Sequence, residues 1–244
     1  MHQSSKNLLT VERTSLSNYV FLSARPTAAV IDITEGDLDV TLAVYSTTEG
    51  SRFVNGFEDG LAYYAGLKYR QSDEWTYRSE FVYNDTGNGE DDLLDYQWGA
   101  ALSADYDGGR WGVLLSGIIG DNGDSSNGVT NPNQQGLFGG VFAIPWYWLV
   151  QDKLQLVGRY QLALAENSEG FEANARFLGD AAIRDDVDTN GNRGDVNHSV
   201  YLGLNYHIID HRLKLQAGIE YDYLNTPDGD VKAVTYQFGL RTFF

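Results

Sequence analysis

The sequence predicts an all-β chain of long antiparallel strands, and three observations carry that prediction. Apolar and polar residues alternate one by one over stretches of about ten residues, the period of a strand with one apolar face. The links between these stretches are of two sorts, short and long, and the two sorts take turns along the chain. Tyr and Trp recur at the ends of the apolar faces. Helical periodicity is nearly absent.

Eleven stretches alternate: 27–34, 37–46, 59–70, 74–85, 94–107, 109–120, 136–150, 153–164, 197–208, 211–224 and 232–244. In the fourth, Trp75, Tyr77, Phe81 and Tyr83 oppose Arg78, Glu80 and Asn84. In the fifth, Leu94, Tyr96, Trp98, Ala100, Leu102, Ala104 and Tyr106 oppose Asp95, Gln97, Ser103 and Asp105. The seventh is the least regular, because Pro145 removes one ladder hydrogen bond. In the eighth, Leu154, Leu156, Tyr160, Leu162 and Leu164 oppose Gln155, Arg159 and Gln161. The tenth sets Leu213, Leu215, Ala217, Ile219, Tyr221 and Tyr223 against Arg212, Lys214, Gln216, Glu220 and Asp222. That run is longer than the usual globular strand of roughly 5–6 residues. The last places Tyr236, Phe238, Leu240 and Phe244 on one face and Gln237, Gly239 and Arg241 on the other.

Short links fall at 35–37, 71–73, 107–109, 151–153 and 209–211, and long polar ones at 47–58, 86–93, 121–135, 165–196 and 225–231. Tight turns on one side and long loops on the other are the habit of an outer-membrane barrel. A soluble sandwich, wet at both ends, has no reason to sort its loops. Strands of this length fit the roughly 9–11 residues needed to cross a bilayer at a tilt. Tyr69, Trp75, Tyr83, Tyr106, Trp111, Tyr206 and Tyr223 stand where aromatic girdles would meet headgroups. The opposite face carries charges of both signs, which a water-filled lumen tolerates and hydrocarbon does not. Residues 1–244 thus read as a single transmembrane antiparallel β-barrel domain. Residues 1–26 form an irregular segment or an extra strand, drawn from 4–12 or 16–24, that would bring the count to about twelve.

Composition narrows the partners. A net charge of -17 argues against nucleic acid. The absence of cysteine excludes disulfides and thiolate metal sites. No apolar run reaches the 18 residues of a transmembrane helix, and the N-terminal ten residues show no signal-peptide core.

"NLLTVERTSLSN" (7–18), followed by "AAVIDITEGDLDVTLAVYSTTEG" (28–50), resembles a stretch of the phosphate-selective porin O/P family, through Val11-Glu12-Arg13 and Ala43-Val44-Tyr45-Ser46. The closing "YDYLNTPDGDVKAVTYQFGLRTFF" looks like that family's last hairpin. The resemblance implies outer-membrane porins of Gram-negative bacteria, sixteen strands in the full architecture, a homotrimer and a signal peptide. It places five strands before this chain's first. The family's phosphate transport through clustered Lys and Arg is matched only as far as "porin", because the wall here is mixed and the loops are acidic.

The expected pore-lining cations are Lys68, Arg70, Arg78, Arg110, Arg159, Arg212, Lys214 and Arg241. The expected acids are Glu80, Asp95, Asp105, Glu220 and Asp222. Each could set ion preference or serve as a salt bridge that stiffens the wall. In "DDVDTNGNRGD" (185–195), Asp186, Asp188 and Asn190 open like a calcium loop, but no Glu closes it, so the reading competes with a solvated acidic loop. No other cofactor is implied. No nucleophile motif is present, the four histidines share no ligand spacing, and the chain reads as a non-enzyme. The leading reading is a passive channel for ions and small hydrophilic solutes, embedded in outer-membrane lipid, narrowed by an inward fold of 121–135 or 165–196. Two others stand beside it: a structural or adhesive barrel with a closed lumen, and a soluble β-sandwich carbohydrate-binding module.

Overall fold

The computed structural model describes residues 9–20, 28–47, 60–85, 94, 96–125, 129–173, 177–209 and 212–242. Eleven strands make one continuous antiparallel sheet. In chain order they are β1 (Ala28–Glu35), β2 (Leu38–Ser46), β3 (Leu61–Arg70), β4 (Trp75–Asn84), β5 (Trp98–Asp107), β6 (Trp111–Asp121), β7 (Leu137–Val150) and β8 (Leu154–Ala165). A two-residue pair, β9 (Phe171–Glu172) and β10 (Arg193–Gly194), lies apart with helix α2 (Leu178–Asp185) between them. The main sheet resumes with β11 (Val196–Ile209), β12 (Leu213–Thr226) and β13 (Gly229–Thr242). Every pairing joins sequential neighbours of the sheet, with β8 meeting β11 across the long loop. One sheet, not two packed face to face, rules out the sandwich. The sheet is not closed among the described residues: β1 and β13 are its two edges.

Tight turns form where the sequence supplies the backbone for them. Gly36 takes φ +57 in the two-residue β1–β2 turn, the left-handed region that mirror-image hairpin turns require. The β12–β13 connection corrects the expectation of a long loop at 225–231. Thr226 pairs with Gly229, so only Pro227 and Asp228 make the turn. Proline presets its own φ and Gly229 takes φ +144, a turn chemistry written in the run Pro-Asp-Gly.

The register carries one face across the whole sheet. Asp39 pairs with Lys68, Lys68 with Arg78, Arg78 with Ser103 and Ser103 with Ser116. Ser116 pairs with Phe142, Phe142 with Gln161, Gln161 with Ser199 and Ser199 with Asp222. This inner face holds the polar side chains, many of them buried: Gln161, Asn197, Asn205 and Gln216 are fully covered. The outer face is the reverse. Leu102, Val141, Leu202 and Phe238 stand exposed, and within the strands no Asp, Glu, Lys or Arg interrupts it between Glu35 at one end and Asp121, Asp230 and Lys232 at the other. Water would penalise an apolar surface of this extent, and hydrocarbon would not.

Aromatic side chains close both ends of the outer face. At the short-turn end Trp75 stacks on Tyr77 and touches Tyr106, which touches Trp111. At the long-loop end Tyr63, Tyr83 and Trp98 are register partners, and the rings of Tyr160, His198 and Tyr223 follow one another at 6.2 and 6.0 Å.

No strand forms in residues 9–20, and the remainder of the expected strands at 4–12 and 16–24 lies outside the described residues. Residues 9–14 run irregularly over the inner face, and Ser15–Val20 form helix α1. Thr14 caps it, its hydroxyl accepting from the Ser17 amide at 3.2 Å. Leu16, Tyr19 and Val20, spaced three and four apart, face the wall and are buried. The start of the fifth stretch is corrected as well: β5 begins at Trp98, and Leu94 and Tyr96 turn inward to the same cluster.

Candidate permeation site

The inner face divides into a filled part and an open part. The filled part spans β7 to β13 and takes in the long-loop ends of β3 to β6, where Ala62, Val82, Ala101 and Ile118 are buried. Tyr19 meets Phe138 edge-on at 5.0 Å and Phe171 at 5.5 Å, and donates its hydroxyl to Asn122 at 2.9 Å. Tyr96 donates to the Val20 carbonyl. At Gly99 an added Cβ would stand 2.6 Å from Val20 Cγ1, so the close approach of α1 to β5 needs glycine there. Leu178, Ala181 and Ala182 of α2 join the same apolar cluster as Leu224, Val231 and Ala233 of the wall.

Below that cluster the wall is polar and dry. Arg159 is ion-paired with Glu220, donates to the Glu12 carbonyl at 3.0 Å and lies over the Tyr201 ring. Glu220 also accepts from Ser199 at 2.7 Å and Gln237 at 2.7 Å. The side chains of this ion pair are 2% and 6% exposed. Lys214 is buried, and Arg241 bonds the Gln216 side-chain oxygen and the Val11 carbonyl.

The open part spans β1 to β5. Arg70 grips Asp39 at two points, 2.6 and 3.2 Å, and Thr34 and Lys68 approach the same carboxylate. Thr41 donates to Asp32 at 2.6 Å and Tyr64 to Glu80 at 2.6 Å. Arg78 and Asp105 stand 3.5 Å apart, 24% and 38% exposed. Asp32, Asp39, Thr41, Tyr64, Lys68, Arg78 and Glu80 line a cavity of about 440 Å³. A cavity lined by charges of both signs, on the face opposite an uncharged apolar one, suits the passage of polar solutes.

Ten of the thirteen expected wall residues therefore lie on strands with their side chains on the inner face. Two do not. Arg110 sits in the β5–β6 turn with its guanidinium 5.3 Å from the ring of outward-facing Tyr147, and Arg212 is exposed in the β11–β12 turn. Alternation extended by one residue past a strand end had put both in the wall. Asp95 lies outside the described residues. The neutral residues Gln161, Asn205 and Gln216 are buried on the same inner face, and their place on the polar side of alternating strands is the signal that marks them in the sequence. Asp186, Asp188 and Asn190 serve local geometry. Asp186 ends α2 at φ 55, Asp188 accepts from the Asn190 amide at 2.9 Å, and the Asn190 side chain donates to Glu169. Among the described residues no three His, Cys, Asp or Glu side chains gather as a metal site.

The class that this wall defines is a membrane-type antiparallel β-sheet: apolar and uncharged outside, charged and partly hollow inside. The chain is similar in structure to the outer membrane channel DcaP of Acinetobacter baumannii, with TM-score 0.54 and 13% sequence identity over 88% of this chain. The match spans 61% of that channel's length. The chain thus has the fold of an outer-membrane β-barrel channel. No protein-family model and no curated relative matches it, so membership of the phosphate-selective porin O/P family is not shown.

Proposed function

We propose that the protein is a porin-like outer-membrane channel passing ions and small hydrophilic solutes by diffusion along its β1–β5 side. The observation that carries this reading is the inversion of the sheet, with charge on the hollow face and hydrocarbon on the bare one. Residues 9–20 and the loop that bears α2 occupy the rest of the interior and narrow the path. The expected constriction at 165–196 is thus supported in part, and the N-terminal segment joins it. Assembly as a homotrimer belongs to the same proposal and is tested by the mass of the detergent-solubilised particle.

Single-channel recording in planar bilayers tests the function. Ohmic steps with a measurable reversal potential in a salt gradient support it. A folded, heat-modifiable protein that inserts without conducting overturns it. That outcome favours the closed-lumen barrel, which the dry interior of β7–β13 also suits.

A further inference from the structure

The outer face is not evenly covered. At mid-height a groove of about 640 Å³ crosses β3 to β8, lined mostly by outer-face residues, with Leu67 and Tyr77 toward one end and Tyr160 toward the other. Gly117 lies within it, flanked in register by Leu102 and Val141 and preceded on its own strand by outward-facing Leu115. Among the described residues, a Cβ built on Gly117 would meet no atom within 4 Å. At Gly112, Gly120 and Gly140 of the same two strands an added Cβ would collide with backbone or a ring, so packing requires those glycines. No such contact explains Gly117. A glycine inside a strand gives up side-chain packing and marks a place where something else approaches the backbone.

A cation stands at the short-turn end of the same strands. Arg110 is exposed, and its carbonyl accepts from the Trp148 amide at 2.9 Å, which ties the β5–β6 turn to β7. Its guanidinium lies over the outward-facing Tyr147 ring, which is the register partner of Trp111. Asp107, the acid of the same turn, accepts from the Gly109 amide at 2.9 Å. An arginine outside the hydrocarbon, set over a girdle ring, is placed to bind a phosphate with two donors at once. From Tyr147 the outer face of β7 reaches Ala143 and Val141 after roughly 13–20 Å of strand, and less in depth where the strand tilts. The hydrocarbon of one leaflet is about 15 Å deep. Between the two places the face is low: Val113 pairs with Pro145, and a Cβ on Gly158 would stand 3.5 Å from the Pro145 ring.

We propose that the outer face of β5 to β7 is a phospholipid site, with the phosphodiester on Arg110 and one acyl chain passing over Val113 and Pro145 into the groove at Gly117. The ligand class is a diacyl phospholipid of the leaflet at the short-turn end. The phosphate answers the one charge at the rim, and the chain fills the space that Gly117 leaves open. The site requires the outer face to stand in lipid and does not require the lumen to conduct.

The test reads lipid binding and not conduction, so its failure leaves the channel proposal standing. The full chain is refolded in detergent, its folding is checked by heat-modifiable mobility, and bound lipid is followed by native mass spectrometry. The probes are dioleoyl phosphatidylglycerol and dioleoylglycerol, which has the same chains and no phosphate. One phosphatidylglycerol per chain is expected to be retained, at least about tenfold tighter than dioleoylglycerol. Gly117→Phe puts a ring into the open space and should weaken retention at least about tenfold; Gly117→Val takes its place if the larger residue prevents folding. Arg110→Gln, in an exposed turn, should weaken retention at least about fivefold. Equal retention by the parent and the folded variants overturns the proposal, since lipid would then only coat the sheet. Loss through Arg110→Gln with none through a folded Gly117 variant also overturns it, because the groove would hold no chain. So does a parent that takes up no lipid and self-associates until the Gly117 variant separates the copies, because the groove would then seat a second copy.

Discussion

Arg78 faces Asp105 across the β4–β5 side of the wall, and Arg159 faces Glu220 across the β8–β12 side. Both pairs are one arginine and one acid on the polar face, the first on neighbouring strands and the second reaching across β11. The side chains of the first are 24% and 38% exposed, with Arg78 lining the cavity; the second is almost wholly covered. Water screens the first pair, so it contributes little to stability while its field reaches any ion that passes. No water reaches the second, so each charge depends on its partner. Under the proposed function, identical chemistry would be filter in one place and strut in the other, according to what lies on top of it.

The strongest test of this comparison is Arg159→Ala. It leaves Glu220 buried without its cation and should cost about 3–5 kcal/mol, read as a lower urea midpoint for loss of heat-modifiable mobility. Arg159→Met with Glu220→Leu should recover most of that loss. If Arg159→Ala instead leaves stability intact and shifts ion preference, the strut is a filter and the comparison fails.

Next in size is Gly99→Ala. Its new methyl meets Val20 and should cost about 1–3 kcal/mol by overpacking. Val20→Ala in the same chain should relieve it, and a double-mutant cycle measures the coupling. Additive losses would mean that α1 does not bear on β5.

Smaller in stability and larger in transport, Arg78→Ala should change the unfolding midpoint by no more than about 1 kcal/mol. It should also move the reversal potential toward cations, because it removes a positive charge from the open side. An unchanged reversal potential would remove the β4–β5 side from the conducting path.

Least of all should come Arg184→Ala, at the exposed end of α2. There the Arg184 guanidinium bonds Asp185 and holds its carboxyl below the ordinary value of 3.8. A depressed carboxyl contributes stability above its ordinary value and loses it on acidification. On a fully exposed pair that contribution is expected to leave the melting temperature unaltered at neutral pH. A clear drop would show that α2's further bond, from Arg184 to the Lys232 carbonyl, steadies the loop.

Alternation made the strands legible because a residue's face follows from its parity alone. It located eleven strands and their inner residues to within a few positions. It could not say what covers a face, since Thr10 reaches Gln216 and Val11 reaches Arg241 from the far end of the chain. Arg78 and Arg159 therefore looked equivalent in the sequence. Other features were written plainly enough to be read. Thr14 as a cap, followed by Leu16, Tyr19 and Val20 at helical spacing, marks α1. Pro227-Asp228-Gly229 marks a tight turn. Neither has the period of two that marks a strand.

The order of pairing in the sheet has a consequence in time. Each ladder except β8–β11 joins strands that follow one another in the chain, so these can form with little loss of loop entropy, beginning from a hairpin as tight as β12–β13. The contacts of residues 9–12 span 147 to 230 residues and need a wall that already exists. The sheet is therefore built empty, and the segment enters it last.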